Sequence, residues 1–505
     1  MSRRTAVALF FLAFAFRYLT LSALENDHFV LLARAQQLLA GDWPVRDFED
    51  PGQPLYYAVT AGLAAMGGHV LATNVVLSIA LQALAAAFTF VLARRASGSD
   101  LVGIAAAAIA IISSPRLYNS TKVIFPVVTL LLQWRYAERP VMRRLIGLGI
   151  WTAAASLLRL DYAVYVVAST TVLLVMLHRS NMSNAIRLAA IYVAVTLVCV
   201  APWLVYVQWH EGLREYASAA IRFVQSEGRR TAGERPGAFY LFILIPLLPL
   251  ALAFRKPRTL GAAELASLSV LTLLINFVFL RDVLSARLPD VIAPNVVLVA
   301  ALMGEVFPPA GLRAGGAALV GTAAVLGVLS LGIAGYHVPT PAAVVRQALR
   351  ITDRLMHDAP DIQPSPRYPA LVAFLSRCTA PTQRVFVEGF GPQIPFLARR
   401  PFAGGLPSWE PGYYETADDI TRATRRLDRE DVAAAVLLEG STPFEHSWPA
   451  LAAWFRAHGF EEHSVRGEEV MKVWLPKASA PPQMDEATAL PCVRAGTSRP
   501  ALPGA

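Results

Sequence analysis

The chain has 505 residues; 55% are hydrophobic, only 16% are charged, and the formal net charge is +9. Soluble domains carry about a quarter charged residues, so a protein that is soluble throughout is excluded. In so apolar a chain the basic balance points to anionic lipid headgroups and to the orientation bias of membrane proteins, not to nucleic acid.

The deficit of charge lies in residues 5–336, whereas 337–505 read as an ordinary soluble sequence, which divides the chain in two. The positive charge is carried by arginine; the only lysines are Lys122, Lys256, Lys472 and Lys477. Of three cysteines, Cys199 lies in an apolar run, leaving Cys378 and Cys492 as the pair available to the soluble part. There is no CxxC or Cys/His cluster, so no thiolate metal site is expected.

A membrane-spanning helix needs ~20 apolar residues, fewer when it is short or buried in a bundle. The first such stretch is 5–24. Arg3 and Arg4 precede it as in a signal peptide, but Arg17 interrupts it and no small-x-small cleavage site follows, so a retained span is expected. Further stretches follow at 69–93, 101–114, 121–134, 145–158, 162–178, 188–208, 238–254, 260–280, 289–306 and 314–336. Residues 101–134 and 145–178 are each one apolar tract broken by a polar knot, SSPRLYNST and RLD, and read as short hairpins. With the N-terminus cytoplasmic, Arg94, Arg95, Arg135, Arg139, Arg143 and Arg144 fall on the inner side. The odd count then puts the C-terminal part outside.

From Pro339 to Lys477, helical patterns at 341–357, 366–377, 417–428 and 446–458 alternate with strand patterns at 384–390, 433–440 and 469–476. That is the pattern of a small α/β layered domain. Gly389 and Gly391 lack the further glycine or lysine of a nucleotide loop. The tail from Ala478, rich in Ala and Pro, reads as disordered. The expected fold is a polytopic α-helical membrane protein of about 11 transmembrane helices with a C-terminal soluble α/β domain. Its parts are a transmembrane domain at 1–336 with a first outer loop at 25–68, a soluble domain at 337–477 and a tail at 478–505.

The first outer loop concentrates the acids. Glu25, Asp27, Asp42, Asp47, Glu49 and Asp50 are six of only nine acidic residues before Glu211. His28 to Leu39 has helical spacing, with Phe29, Leu32, Ala33, Gln36 and Leu39 on one side and Gly41 as a stop. Beyond it, Pro44, Pro51 and Pro54 break DWPVRDFEDPGQPLYY into an extended, turn-rich return.

This order resembles the first outer loop of C-fold glycosyltransferases, the integral-membrane superfamily that includes protein O-mannosyltransferases and the aminoarabinose transferase of lipid A. The resemblance rests on a first span, the acids of Glu25-Asn26-Asp27-His28-Phe29 with Ala33 downstream, a helix ending in glycine, and an R-D-F-x-D-P-G-x-P-L-x-Y segment. Asn26 stands where a second acid often lies, so Glu25 and Asp27 both remain candidates for the working carboxylate. The resemblance implies transfer of a sugar, with inversion, from a polyprenyl-phosphate donor to a hydroxyl or amine of a lipid, polysaccharide or protein acceptor. It also implies a multi-pass protein of the bacterial inner membrane with a periplasmic C-terminal domain.

Direct displacement with inversion needs one carboxylate as general base, and a partly desolvated acid has its pKa raised towards the working pH. Asp27 is the expected base and Glu25 its alternative or partner. A lipid-phosphate leaving group needs cations, and arginine forks suit phosphate. Arg46, Arg159, Arg281 and Arg287 are the candidates on the outer side, with Asp47 and Asp50 shaping the substrate pocket. Structural roles compete with each of these: Arg159 with Asp161, and Arg281 and Arg287 with Asp282 and Asp290, read equally as pairs that fix helix ends. Arg17 reads as a bundle-facing structural residue, and His28 as a polar helix-start residue and not a ligand. Asp47, Glu49 and Asp50 offer hard oxygens suited to Mg²⁺ or Mn²⁺, but without a second ligand set no metal residue is assigned. The alternative function is a transporter or lipid flippase, which predicts paired half-sequences and ionisable groups at mid-span; neither is evident.

Overall fold

The computed structural model describes residues 2–21, 24–50, 52–230, 243–254, 259–281, 288–333, 340–357, 368–438, 443–477 and 483–492, without the side chains of 2, 227–230, 278–281, 328, 330–333 and 468–470. Its first part is a helical bundle: α1 (Ser2–Leu19), α2 (Asn26–Leu39), α3 (Pro54–Gly67), α4 (Val70–Ser97), α5 (Asp100–Ile112), α6 (Ser120–Glu138), α7 (Met142–Leu158), α8 (Leu160–Leu177), α9 (Met182–His210), α10 (Leu213–Arg230), α11 (Leu247–Ala253), α12 (Ala262–Arg281), α13 (Leu288–Val306) and α14 (Pro309–Ile333). Among the described residues five helices are long and apolar enough to cross a membrane: Val70–Ser97, Leu160–Leu177, Met182–His210, Leu288–Val306 and Pro309–Gly327. A helix falls within each of the eleven expected stretches, though 238–242 and 334–336 lie outside the described residues.

The bundle is organised on α4. Its 28 residues span about 42 Å at 1.5 Å per residue, more than the ~30 Å hydrocarbon core. Leu92 and Ala93 of α4, Leu130 and Trp134 of α6, Leu268 and Leu271 of α12, and Val297 and Leu298 of α13 share one core. Small residues bring backbones together at its edge, as expected where lipid supplies no hydrophobic drive between helices. A Cβ on Gly316 of α14 would sit 2.8 Å from the Leu101 Cβ of α5, and one on Gly304 would sit 2.8 Å from the Ala96 carbonyl oxygen. The turn from α4 to α5 is set locally: Gly98 takes φ +71° and Ser99 caps α5 by accepting from the Val102 N–H.

The loop between α1 and α4 holds more helix than its sequence shows. α2 begins at Asn26, two residues before the expected start, with Glu25 as its N-cap and Asp27 in its first turn. After a non-helical return, Pro54 opens α3 from the first-turn position that proline tolerates. The expected loop at 25–68 is therefore two helices joined by a bend.

The second part contains α15 (Pro341–Met356), α16 (Pro369–Cys378), α17 (Gln393–Leu397), α18 (Ala417–Leu427), α19 (Phe444–Ser447) and α20 (Pro449–Ala457). Its sheet has the order β1-β2-β4-β3, with β1 (Arg384–Glu388) parallel to β2 (Val432–Leu438) and β4 (Glu468–Pro476) antiparallel to both β2 and β3 (Phe460–Val465). α15 packs on the bundle and not on the sheet: the Tyr18 and Thr352 hydroxyls are 2.7 Å apart, and Ile351 and Leu355 join a core with Phe29 and Leu32 of α2.

The tail departs from its expected disorder. Residues 483–492 form a small hairpin, β5 (Gln483–Met484) with β6 (Pro491–Cys492), tied by the Cys378–Cys492 disulfide and an Arg377–Asp485 pair at 2.6 Å. A composition rich in Ala and Pro does not foresee order imposed by a covalent cross-link. Residues 478–482 and 493–505 lie outside the described residues.

Candidate active site

The N-terminus of α2 puts Glu25 and Asp27 beside the polar knot that joins α5 to α6. The Glu25 carboxylate forms an ion pair with Arg116, 2.8 Å from Nη1, and the same nitrogen donates to the Tyr118 hydroxyl at 2.9 Å. Burial raises the Glu25 pKa; the Arg116 charge opposes this, while Asp27 and Asp290 add to it. Burial, and then the Asp27 charge, push the Tyr118 phenol up. Asp27 is exposed and forms no hydrogen bond or ion pair with another described residue. A carboxylate at the first turn of a helix also sits in the favourable field of the helix dipole.

Asp290, at the start of α13, closes the other side. It is buried, accepts from Asn119 Nδ2 at 2.8 Å and lies 3.5 Å from Lys122 Nζ. Three carboxylates thus face Arg116 and Lys122 at one end of the bundle.

The knot is braced from below. Arg17 of α1 donates to the Pro115 carbonyl at 2.7 Å and to Gln82 Oε1 at 2.9 Å. Gln82 in turn donates to the carbonyls of Pro115 and Arg116 at 3.0 and 3.1 Å. Arg17 thus holds the backbone that presents Arg116.

The expected substrate residues separate. Arg159 pairs with Asp161 at 2.7 Å, and the turn it occupies is held to the return segment by the Leu160 N–H donating to the Gly52 carbonyl at 3.2 Å. Asp50 is half-buried and accepts from Tyr57 and Tyr216 at 2.8 and 2.6 Å and from the Gln53 N–H at 3.0 Å. Burial raises its pKa despite these bonds. Arg46 and Asp47 pair with each other at 2.6 Å on the tip of the bend, away from Glu25. The Arg281 side chain and all of Arg287 lie outside the described residues.

Much of the acidic loop is spent on the second part of the chain. Asp42 takes both forks of Arg384 at 2.6 and 2.9 Å. Glu49 meets Arg426 at 2.8 Å and Arg422 at 3.3 Å, and its N–H donates to the Gly405 carbonyl. Phe48 packs edge-on against Phe402, with ring centroids 5.7 Å apart. Asp47, Glu49 and Asp50, the hard-oxygen candidates for Mg²⁺ or Mn²⁺, each turn to a different partner. No group of three or more His, Cys, Asp or Glu placed to hold a metal occurs among the described residues.

Sequence reasoning missed Arg116, Tyr118, Asn119 and Lys122. The knot that interrupts 101–134, and a lysine at a helix start in a chain nearly free of lysine, were the available signals. His28 is buried with both ring nitrogens unpartnered among the described residues, and burial lowers its pKa to about 4, so it is neutral. A cavity of about 320 Å³ opens between α10 and residues 412–419, walled by Phe223, Tyr413, Tyr414, Arg222 and Asp419.

No protein-family model matches the sequence, and no curated protein matches it. Among solved structures, ArnT from Cupriavidus metallidurans bound to undecaprenyl phosphate superposes with a TM-score of 0.53 at 16% identity, over 95% of this chain and 99% of that one. The apo form of ArnT gives 0.52 at 17% identity, over 96% and 100%. The chain has the fold of ArnT. The likeness extends over both parts of the chain, because the superposition covers nearly the whole length of each protein. With its apolar helices, this makes the chain a multi-pass membrane protein.

Proposed function

We propose that the protein is a membrane glycosyltransferase that moves a sugar from a polyprenyl-phosphate donor to an acceptor hydroxyl or amine, with inversion, on the outer face of a bacterial inner membrane. The observation that carries this reading is the meeting of Glu25, Asp27 and Asp290 with Arg116 and Lys122 at the end of a C-fold bundle. ArnT, which shares the fold, was solved with undecaprenyl phosphate bound.

Asp27 serves best as the base, because its carboxylate is exposed while Glu25 is held by Arg116. It takes the acceptor proton as the acceptor atom bonds to the anomeric carbon; the bond from that carbon to the phosphate oxygen breaks, and its electron pair leaves with the lipid phosphate. Arg116 and Lys122 meet the charge that develops on that oxygen, where electrostatic stabilisation is a large term. Glu25 positions Arg116. The disulfide supports an oxidising, outer side for the α/β part.

Transfer from synthetic polyprenyl-phosphate sugars tests the mechanism. Asp27→Asn is expected to lose roughly 10²–10⁴-fold in kcat, the usual worth of a general base, and Glu25→Gln to lose less. Full activity in both variants overturns the assignment.

A further inference from the structure

Helix α15 presents three faces. Ile351 and Leu355 are buried against α1, α4 and α2. Val345, Leu349 and Met356 form a second face that is apolar yet 57%, 64% and 39% exposed. Arg346, Arg350 and Arg354 follow one another at i, i+4 spacing on a third, where Asp353 pairs with His357 at 3.1 Å. At about 100° per residue, the exposed apolar strip lies between the buried face and the arginines. The helix rests on the end of α1, itself apolar and open at Val7, Phe11 and Leu12, and the Tyr18–Thr352 bond fixes the two together.

We infer that α15 lies in the lipid headgroup layer, with Val345, Leu349 and Met356 in the acyl boundary and Arg346 and Arg350 on anionic lipid phosphates. An apolar strip edged by arginine on a helix bound to a membrane span is the pattern of an interfacial helix, and charge complementarity selects an anionic lipid surface as the occupant. The contact also sets depth. Ile351 and Leu355 share a core with Phe29 and Leu32 of α2, so the helix that carries Asp27 is fixed to one seated at the phosphate level. The inference rests on the chain being a membrane protein and is independent of the transferase reading.

The test uses the full chain in nanodiscs, with Cys199→Ser to leave the disulfide as the sole background sulfur chemistry. A nitroxide is attached at Leu349→Cys, and a reference at Arg425→Cys on α18. Oxygen is expected to relax the Leu349 label more than a water-soluble nickel chelate does, with the reverse at Arg425. Equal chelate access at the two positions overturns the proposal, as does a Leu349 label shielded from both reagents, the sign of a second copy covering the face. Native mass spectrometry on mixed phosphatidylglycerol and phosphatidylcholine discs reads the charge. Arg346→Gln with Arg350→Gln should lower phosphatidylglycerol retention by about five-fold per arginine, and unchanged retention overturns the phosphate contact.

Discussion

Arg116 reaches Glu25 because its backbone is pinned by groups far away in sequence. The carbonyls of Pro115 and Arg116 accept from Gln82, and Pro115 accepts from Arg17 as well. Gln82→Leu is therefore expected to lower kcat about tenfold or more while the protein still folds, and a steady-state assay beside a melting curve separates the two effects. The pH profile carries a second expectation. Burial raises the Glu25 pKa from its ordinary value. Because ionised Glu25 holds Arg116, the acid limb of activity is expected at higher pH than an unperturbed carboxylate would give, and to move in Glu25→Gln. His28→Leu is expected to be neutral or stabilising, since a buried imidazole with no hydrogen-bond partner among the described residues is exchanged for an apolar group. The acids of the first loop were visible in the sequence, but their partners were not. Glu25 and Arg116 lie on either side of four helices, and no local spacing relates them.

At the scale of elements, helices were easy to read and turns with tertiary partners were not. α3 escaped notice because three prolines and two tyrosines look like a loop, although Pro54 in fact starts a helix. β3 escaped because FEEHSV puts charge on the open edge of the sheet, with Glu461 and Glu462 exposed. The joint between the bend and the second part depends on one glycine. Gly405 has φ +85°, and a Cβ there would run into the Arg426 side chain that holds Glu49. Gly405→Ala should cost about 1–3 kcal/mol by overpacking, read as a lower melting temperature.

Across the whole molecule, the two parts are held by a charged seam. Glu49, Glu211 and Asp419 meet Arg222, Arg422 and Arg426 where the bend, the α9–α10 corner and α18 come together. Burial, then the neighbouring Glu49 charge, push the Glu211 pKa up to about 7 against the pull of Arg422 and Arg426. An acid whose folded pKa is raised binds its proton more tightly when folded. The contribution of Glu211 to the seam is therefore fully present below its unfolded pKa near 4.5, is lost as pH rises towards 7, and stays at the lower level above it. Glu211→Gln should flatten that dependence in melting temperatures measured from pH 5 to 8. This seam follows from the fold as a whole, and only the excess of acids in one loop hinted at it.

Asp42 and Glu49 have a practical consequence for anyone recombining proteins of this architecture. A cut at the boundary suggested by hydropathy, near residue 337, leaves both carboxylates in the bundle without the arginines that neutralise them. Stranding one member of a buried pair costs of the order of 3 kcal/mol. The unit that can be exchanged between such proteins is discontinuous in sequence: the bend at 40–50 must travel with residues 368–492, as lock with key.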